Sequence, residues 1–455
     1  MNAMIHKDVP IGVPGMGGHL MLEFSPSGEL QDAMSTQSFI YVCVVSEFNL
    51  AELEACLTLR PQHLVLVVSS FSKLAKSCER LQNVLQVRLP DMQIHRPDQM
   101  FDRQFGGEDI LKLQGWIASA LRPCIDAIRA DYQQNHSGEP ALPLVFNATG
   151  GTKAIGMSLL TRMPWDEVHY KGFSVNELQR LALLNNEWVS RGEPYKVIAA
   201  APLEVARLYA DKVEQMNIGL HNAERHSTLA QQIWDGLQQQ EPGIEALFGW
   251  LAEIWSQGRG NPEYNQKRLL LDVPAKLQTP PALGWIERFS ALHDGSFAFD
   301  GEQLVVPGNK PQKQYKAVQK WIAGDWLEQL THHWLLEAGV LTTEMARGVV
   351  VNPQDGSSSD GNREADLFVH RKGRSFLIEM KTDLPPETQE KSIEQQLESM
   401  GDRFGKTTKV LMVGPHFRRN LEQRERWDAF KAKLAINGTH LCDSRETLQK
   451  ALGLL

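Results

Sequence analysis

Apolar residues recur along this chain with two periods, and the periods alternate. FIYVCVVS (39–46) is an unbroken apolar, β-branched run, and LAELEACLTL (50–59) carries its apolar residues at helical spacing. HLVLVVSS (63–70) repeats the first kind and KLAKSCERLQNVL (73–85) the second. A longer helical pattern over 109–132 leads into a third apolar run, LPLVF (142–146). Short runs apolar on every position predict strands buried on both faces, and the helical spacing between them predicts crossovers of a parallel sheet. DEVHYKGF (166–173) and QRLALLN (179–185) are expected as later strands.

Past residue 203 the pattern changes. LEVARLYADKVEQMNIGL (203–220), HSTLAQQIWDGLQQQ (226–240) and ALFGWLAEIWSQG (246–258) have helical spacing. FAFDGEQLVV (297–306) predicts a hairpin turning at Asp300-Gly301. Helices followed by a small hairpin fit a winged-helix module or a connector. KAVQKWIAGDWLEQLTHHWLLEAG (316–339) is a strong helical pattern. A polar Gly/Ser/Asp loop (351–364) separates it from a second hairpin, followed by a helix QEKSIEQQLESMGDRFG (389–405) and an apolar strand TTKVLMVGP (407–415). The expected organisation is α/β throughout: an N-terminal extension over 1–37, a Rossmann-like domain over 38–202, a helical connector with a small hairpin over 203–315, and a compact C-terminal α/β domain over 316–455.

Bulk composition narrows the classes. A chain of 455 residues exceeds one ordinary domain. Its net charge of −8 argues against a wholly basic nucleic-acid coat, while leaving room for a local basic cleft. The five cysteines (Cys43, Cys56, Cys78, Cys124, Cys442) form no CxxC and no zinc-spaced Cys/His cluster. Scattered thiols within apolar segments suit a reducing compartment, so a cytoplasmic location is expected. No apolar run reaches ~18 residues, so no membrane span is expected. Residues 1–37 lack the apolar stretch of a signal peptide and read as a flexible extension, with Met34 as an alternative start.

Two short stretches carry candidate chemistry. The first, FNATGGTK (146–153), stands where an apolar strand hands over to a helix. Ligands of open α/β sheets sit beyond the carboxyl ends of the strands. Gly150 and Gly151 permit a tight turn and close backbone approach. Thr152 can cap the helix, whose free N–H groups favour an anion, and Lys153 can meet a phosphate. Asn147 and Thr149 offer hydrogen bonds to a ribose or base edge. The spacing matches neither the Walker A loop nor GxGxxG, which disfavours a nucleoside triphosphatase or a dinucleotide oxidoreductase. A plain strand-to-helix turn is the competing reading.

The second stretch is EADLFVHRKGRSFLIEMKTD (364–383). Folded about Lys372-Gly373, it sets Arg371 opposite Arg374, Asp366 opposite Glu379 and Glu364 opposite Lys381. Opposed residues have Cβ atoms ~5 Å apart, where two carboxylates repel. A divalent cation removes that repulsion, and oxygen ligands from Asp366, Glu379 and Glu364 favour Mg2+ or Mn2+. Glu379 and Lys381 share a strand face, so four polar side chains converge. Such a set can polarise a phosphodiester and stabilise its transition state. A solvated, merely structural face is the competing reading.

Strand–NATGGTK–helix resembles the CARF domain, the CRISPR-associated Rossmann fold. The resemblance implies a turn that binds cyclic oligoadenylate across the two-fold axis of a homodimer. It also implies use of the loop after the first strand, here Ser46, Glu47, Phe48 and Asn49, and less directly of Ser69 and Ser70. The EAD…EMK hairpin resembles the PD-(D/E)xK nuclease fold, with Glu364-Ala-Asp366 standing where the family name has proline. That resemblance implies an acid on the preceding helix, Glu328, and a glutamine on the following one, Gln395 or Gln396, with Gln395 preferred.

CARF, connector and PD-(D/E)xK in that order resemble the ancillary nucleases of type III CRISPR systems, from about Phe39 onward. The expected function is a homodimeric, metal-dependent endonuclease of antiviral defence, activated by cyclic oligoadenylate, most simply cyclic tetra-adenylate. Implied substrates are single-stranded RNA, single-stranded DNA or plasmid DNA, with Mn2+ or Mg2+ as cofactor. The alternative is a ligand-responsive DNA-binding regulator with an inert C-terminal domain. Degradation of the activator ranks lower, since no dedicated base accompanies the turn. His332-His333 reads as a helical face, most tryptophans as core, and His416-Phe417-Arg418-Arg419 as either a nucleic-acid path or a solvated helix.

Overall fold

The computed structural model describes residues 38–455 apart from 71, 102–109, 173–175, 186, 211, 216–222, 258–267, 293–296, 308–312, 352–362, 384–392, 394 and 400–403. The expected extension over 1–37 and most of the polar loop over 351–364 lie outside the described residues.

The alternating periods of the N-terminal part form one sheet. Its strands are β1 (Ile40–Val44), β2 (His63–Val67), β3 (Gln93–His95), β4 (Leu144–Asn147), β5 (Glu167–Lys171), β6 (Glu177–Leu184), β7 (Glu187–Ser190) and β8 (Tyr195–Lys196). The spatial order is β3-β2-β1-β4-β5-β6-β7, with β8 beside β6. Strands β1 to β5 are mutually parallel, and β6 to β8 add antiparallel partners. The order reverses between β1 and β4, so the crossover helices divide between the two faces. Leu50–Leu59 and Ser72–Arg88 pack on the side of Tyr41 and Cys43. The helical stretch from Ile110 to Asn135 and the helix Lys153–Arg162 pack on the side of Ile40, Val42 and Val44. Alternate residues of one strand thus feed two cores, which is why β1 is apolar at every position.

The segment at 203–220, expected to be one helix, forms a short helix Pro202–Arg207 and then β9 (Val213–Gln215). Strand β9 pairs with the C-terminal sheet, and tertiary pairing there outweighs a helical pattern in local sequence. Next come helices Ala223–Gln238, Pro242–Gln257 and Pro280–Leu292, with β10 (Arg268–Asp272), β11 (Ala298–Phe299) and β12 (Gln303–Pro307) forming a small antiparallel sheet. The turn between β11 and β12 falls at Asp300, whose carboxylate accepts the Glu302 and Gln303 N–H groups.

The C-terminal sheet adds β13 (Met345–Val351), β14 (Arg363–Arg371), β15 (Arg374–Lys381), β16 (Thr407–Val413) and β17 (Thr439–Cys442), in the order β17-β16-β15-β14-β13-β9. Pairing is antiparallel from β9 to β15 and parallel from β15 to β17. Each face of this sheet has a different neighbour. Leu367, Val369, Phe376 and Ile378 join the core of the middle helices and of Trp326–Glu337. Phe368, Leu377 and Leu411 join the core of the N-terminal helices. The two large sheets therefore share one apolar layer. Of the five cysteines, four are buried and Cys124 is half-buried, and all are free thiols.

Candidate functional site

The turn after β4 lies at the point where the strand order reverses, beside the loop after β1. In open α/β sheets such a reversal point is where ligands bind. Asn147 is fully buried, and its Oδ1 accepts the Thr149 N–H at 3.0 Å, closing the turn on itself. Thr149 Oγ1 accepts the Lys171 N–H at 2.9 Å. Gly150 and Gly151 are both required by close packing. A Cβ on Gly150 would fall 2.6 Å from the Val44 carbonyl oxygen and closer still to Glu52, and one on Gly151, at φ +83°, would fall 2.5 Å from Val44 Cγ1. Thr152 caps the helix Lys153–Arg162 by accepting the Ile155 N–H at 3.4 Å. Thr152 and Lys153 are exposed at the helix start.

The loop after β1 is tied down rather than open. The Ser46 hydroxyl accepts the Phe48 N–H, and its carbonyl accepts from the Ser77 hydroxyl at 2.9 Å. Asn49 is 1% exposed, and its amide bonds the Ser46 N–H, the Ser77 carbonyl and the Ser77 hydroxyl. Asn49 and Asn147 therefore brace the two loops, while Glu47, Thr152 and Lys153 are exposed beside them. Ser69 is buried at the end of β2, where it bridges to Phe101.

Sequence reasoning missed the carboxylates beneath this turn. Glu52 is 1% exposed, no described side chain bonds either of its oxygens, and burial pushes its pKa up to about 8. Glu54, two residues on and on the other side of the helix, is also buried. Burial alone would push its pKa up, but a His370 hydrogen bond and the Lys171 ammonium bring it below the ordinary value. Polar residues inside an apolar helical run were the available signal.

The second site stands where β14 and β15 part. Lys372 (φ 49°) and Gly373 (φ 71°) occupy the left-handed positions of a two-residue turn. Pairing runs from Arg371 opposite Arg374 to Leu367 opposite Ile378, the register expected from the turn. The ladder stops one step short of Asp366 and Glu379. Instead the Asp366 carboxylate accepts the Met380 N–H at 2.7 Å. Opposite Asp366 in the β13 register stands Gly348, at φ 57°. Ala346 lies in the N-terminal core, Arg347 outside it, and then Val349 and Val351 within it, so the alternation of β13 breaks at Gly348.

Glu379 is 2% exposed. Its Oε1 takes the Lys381 ammonium and the Gln396 amide, the latter at 2.9 Å, while no described residue bonds Oε2. Gln396, not Gln395, makes this contact; Gln395 is exposed, one residue off the inward face of its helix. Burial raises the pKa of Asp366 well above normal, and the Glu379 charge adds to it. Burial likewise raises Glu379, opposed by Lys381. Glu364 is exposed at the rim and is also raised. Glu328 faces the group from Trp326–Glu337, bridged to Arg347 at 3.4 Å, with its pKa pushed up to about 7 by burial and by Asp325. Asp325 and Arg347 were not foreseen. Asp325 ends a π-helical turn, Trp321–Asp325, that interrupts the expected continuous helix.

The donors are all carboxylate oxygens, and the unbonded Glu379 Oε2 is buried among them. That chemistry fits a hard divalent cation. Among the described residues, no three His, Cys, Asp or Glu side chains are drawn together as a ready-made metal cage.

Two of the remaining basic candidates, Arg418 and Arg419, are engaged. Arg418 pairs with Glu422 and Asp443, each at 2.7 Å, and Arg419 pairs with Glu245 of the middle helices. They act as structural ties. His333 meets Glu337 at 3.3 Å, and burial pushes the half-buried His332 down to about 4. No described helix is long and apolar enough to cross a membrane.

No protein-family model matches this chain, and no curated protein matches it by sequence. Solved structures do match in fold. Protein VC1899 from Vibrio cholerae is 13% identical with a TM-score of 0.63, over 90% of this chain and 95% of that one. Can2 from Sulfobacillus thermosulfidooxidans, solved in complex with cyclic tetra-adenylate, is 13% identical with a TM-score of 0.54, over 91% of this chain and 96% of that one.

Proposed function

We propose that the chain is a divalent-metal-dependent endonuclease activated by cyclic oligoadenylate, cyclic tetra-adenylate being the most direct candidate. The observation that carries this reading is the pairing of two sites in one fold. A glycine-paired turn opens at the reversal point of a parallel sheet, and a buried acidic fork with a lysine ends a hairpin of the second sheet. The fold shared with the cyclic tetra-adenylate complex supports it. In this reading residues 38–202 are a CARF-type Rossmann domain, 203–315 a connector, and 316–455 a PD-(D/E)xK nuclease domain acting in type III CRISPR defence.

At the turn, the free N–H groups at the start of Lys153–Arg162 and the Lys153 ammonium receive phosphates, with Ser46 in the loop beside it. A symmetric ring on a two-fold axis suits a homodimer. At the fork, Asp366 and Glu379, with Glu364, would hold a Mg2+ or Mn2+ ion. Such an ion supplies polarisation of the phosphodiester and a lower pKa for bound water. Lys381, kept charged by Glu379, stabilises negative charge gathering on the phosphoryl oxygens. Gln396 fixes the Glu379 carboxylate, and Arg347 does the same for Glu328. Substrates are single-stranded RNA, single-stranded DNA or plasmid DNA. A ligand-responsive regulator with an inert second domain is disfavoured, because a merely structural fork would not retain buried carboxylates whose charges oppose one another.

Two variants separate the sites. Lys153→Ala is expected to weaken binding of cyclic tetra-adenylate by about tenfold or more, as loss of a charged phosphate contact should. Asp366→Ala should bind the ring normally and lose metal-dependent cleavage. Unchanged cleavage in Asp366→Ala would remove the fork from the mechanism.

A further inference from the structure

A line of polar contacts runs from the first site through the shared core to the tip of the hairpin that carries the second. Thr149, in the turn, accepts the Lys171 N–H at 2.9 Å. The Lys171 ammonium is ion-paired with Glu54. The second Glu54 oxygen lies 2.9 Å from His370 Nε2, and His370 Nδ1 lies 2.9 Å from the Ser375 hydroxyl. Glu54 and His370 are wholly buried, and the Lys171 side chain is 8% exposed. The hairpin tip closes on the same point: a Cβ on Gly373 would fall 3.2 Å from Lys171 Nζ.

His370 stands on β14, the strand of Asp366, and Ser375 on β15, the strand of Glu379. Each is four residues from its carboxylate, about 13 Å along a strand. Between them the ladder is intact from Leu367–Ile378 to Arg371–Arg374, and the apolar side chains are fully packed. A paired, buried hairpin moves as one piece. Gripped at its tip, it displaces the carboxylates at its root.

We propose that Glu54, Lys171, His370 and Ser375 form the joint through which occupancy of the Asn147–Lys153 turn repositions Asp366 and Glu379. This rests on the functional reading above and adds the residues that couple its two sites. The Glu54 carboxylate assigns one role: His370 Nε2–H donates to it, while Nδ1 and the Ser375 hydroxyl share a hydrogen bond. These are positioning residues. None contacts the expected ring or the scissile phosphate.

Reciprocal linkage supplies the test. The affinity of the whole chain for cyclic tetra-adenylate is measured with and without a non-cleavable phosphorothioate oligonucleotide, in Mn2+. The wild-type chain should bind the ring about tenfold more tightly with the oligonucleotide present, within the usual span of coupling. Ser375→Ala removes a single hydroxyl and spares the fold, and His370→Phe removes both bonds. Both should keep wild-type affinity for the ring alone and lose the tightening, while a purely structural role would alter thermal stability and leave the tightening intact. Variants that tighten like wild type would overturn the joint and leave the function standing. A wild-type chain that binds no ring, or binds it without coupling, would overturn the functional reading and the joint together.

Discussion

At the scale of single residues, both sites depend on positions that tolerate little change. Gly150 is the clearest case, since any side chain meets the Val44 carbonyl and Glu52. Gly150→Ala should destabilise the chain by about 2 kcal/mol, the usual cost of overpacking, and should weaken ring binding more than cleavage. Urea unfolding and ring titration check the two parts. Glu379 makes the complementary case. Burial opposes its charge while Lys381 and Gln396 offset that cost, so Glu379→Gln should abolish cleavage while leaving thermal stability nearly unchanged. Individual residues were legible where chemistry and turn geometry coincide. The Lys372-Gly373 turn set the register as far as Leu367 opposite Ile378, one step short of Asp366 and Glu379. Gln396 over Gln395 was not legible, because a difference of one residue on a helix face depends on how that helix docks. Asn49 and Asn147 show a second limit. A polar residue in a loop looks like a ligand contact until the structure shows its amide already engaged within the loops.

At the scale of elements, the helix Leu50–Leu59 carries the most information that its sequence pattern concealed. It holds two buried carboxylates with opposite titration behaviour. Glu52 has its pKa raised from the ordinary 4.5 to about 8 by burial. The folded state thus keeps a proton that the unfolded chain has lost, so this contribution is complete below pH 4.5 and is lost as pH rises towards 8. Glu54 is lowered, so its contribution is present above pH 4.5 and is lost as pH falls. Glu52→Gln should therefore become progressively more stable than wild type between pH 4.5 and 8 and level off beyond. Urea midpoints at pH 5, 7 and 8.5 check it, and a constant difference would contradict the burial of Glu52. Elements with one strong pattern, such as β1 and β2 with their apolar runs and the helix Trp326–Glu337 with its spacing, were legible because burial writes itself into the order of apolar residues. Strand β9 was not, since three residues that complete a distant sheet leave no periodic trace.

At the scale of the whole molecule, the two large sheets share a core, and the hairpin that carries the fork reaches into it. Sequence could order the α/β segments along the chain. It could not show that the N-terminal helices and the C-terminal sheet enclose one apolar layer, because that contact joins residues hundreds of positions apart. This arrangement makes activation by a ring at the first sheet mechanically reasonable.

The most direct measurement is the initial rate of cleavage of labelled single-stranded RNA, single-stranded DNA and plasmid by the wild-type chain in Mn2+, with and without cyclic tetra-adenylate. The account predicts that at least one substrate is cut at least about tenfold faster with the ring, the size of effect that a differential binding energy of about 1.4 kcal/mol produces. Equal rates with and without the ring, on every substrate, would contradict it.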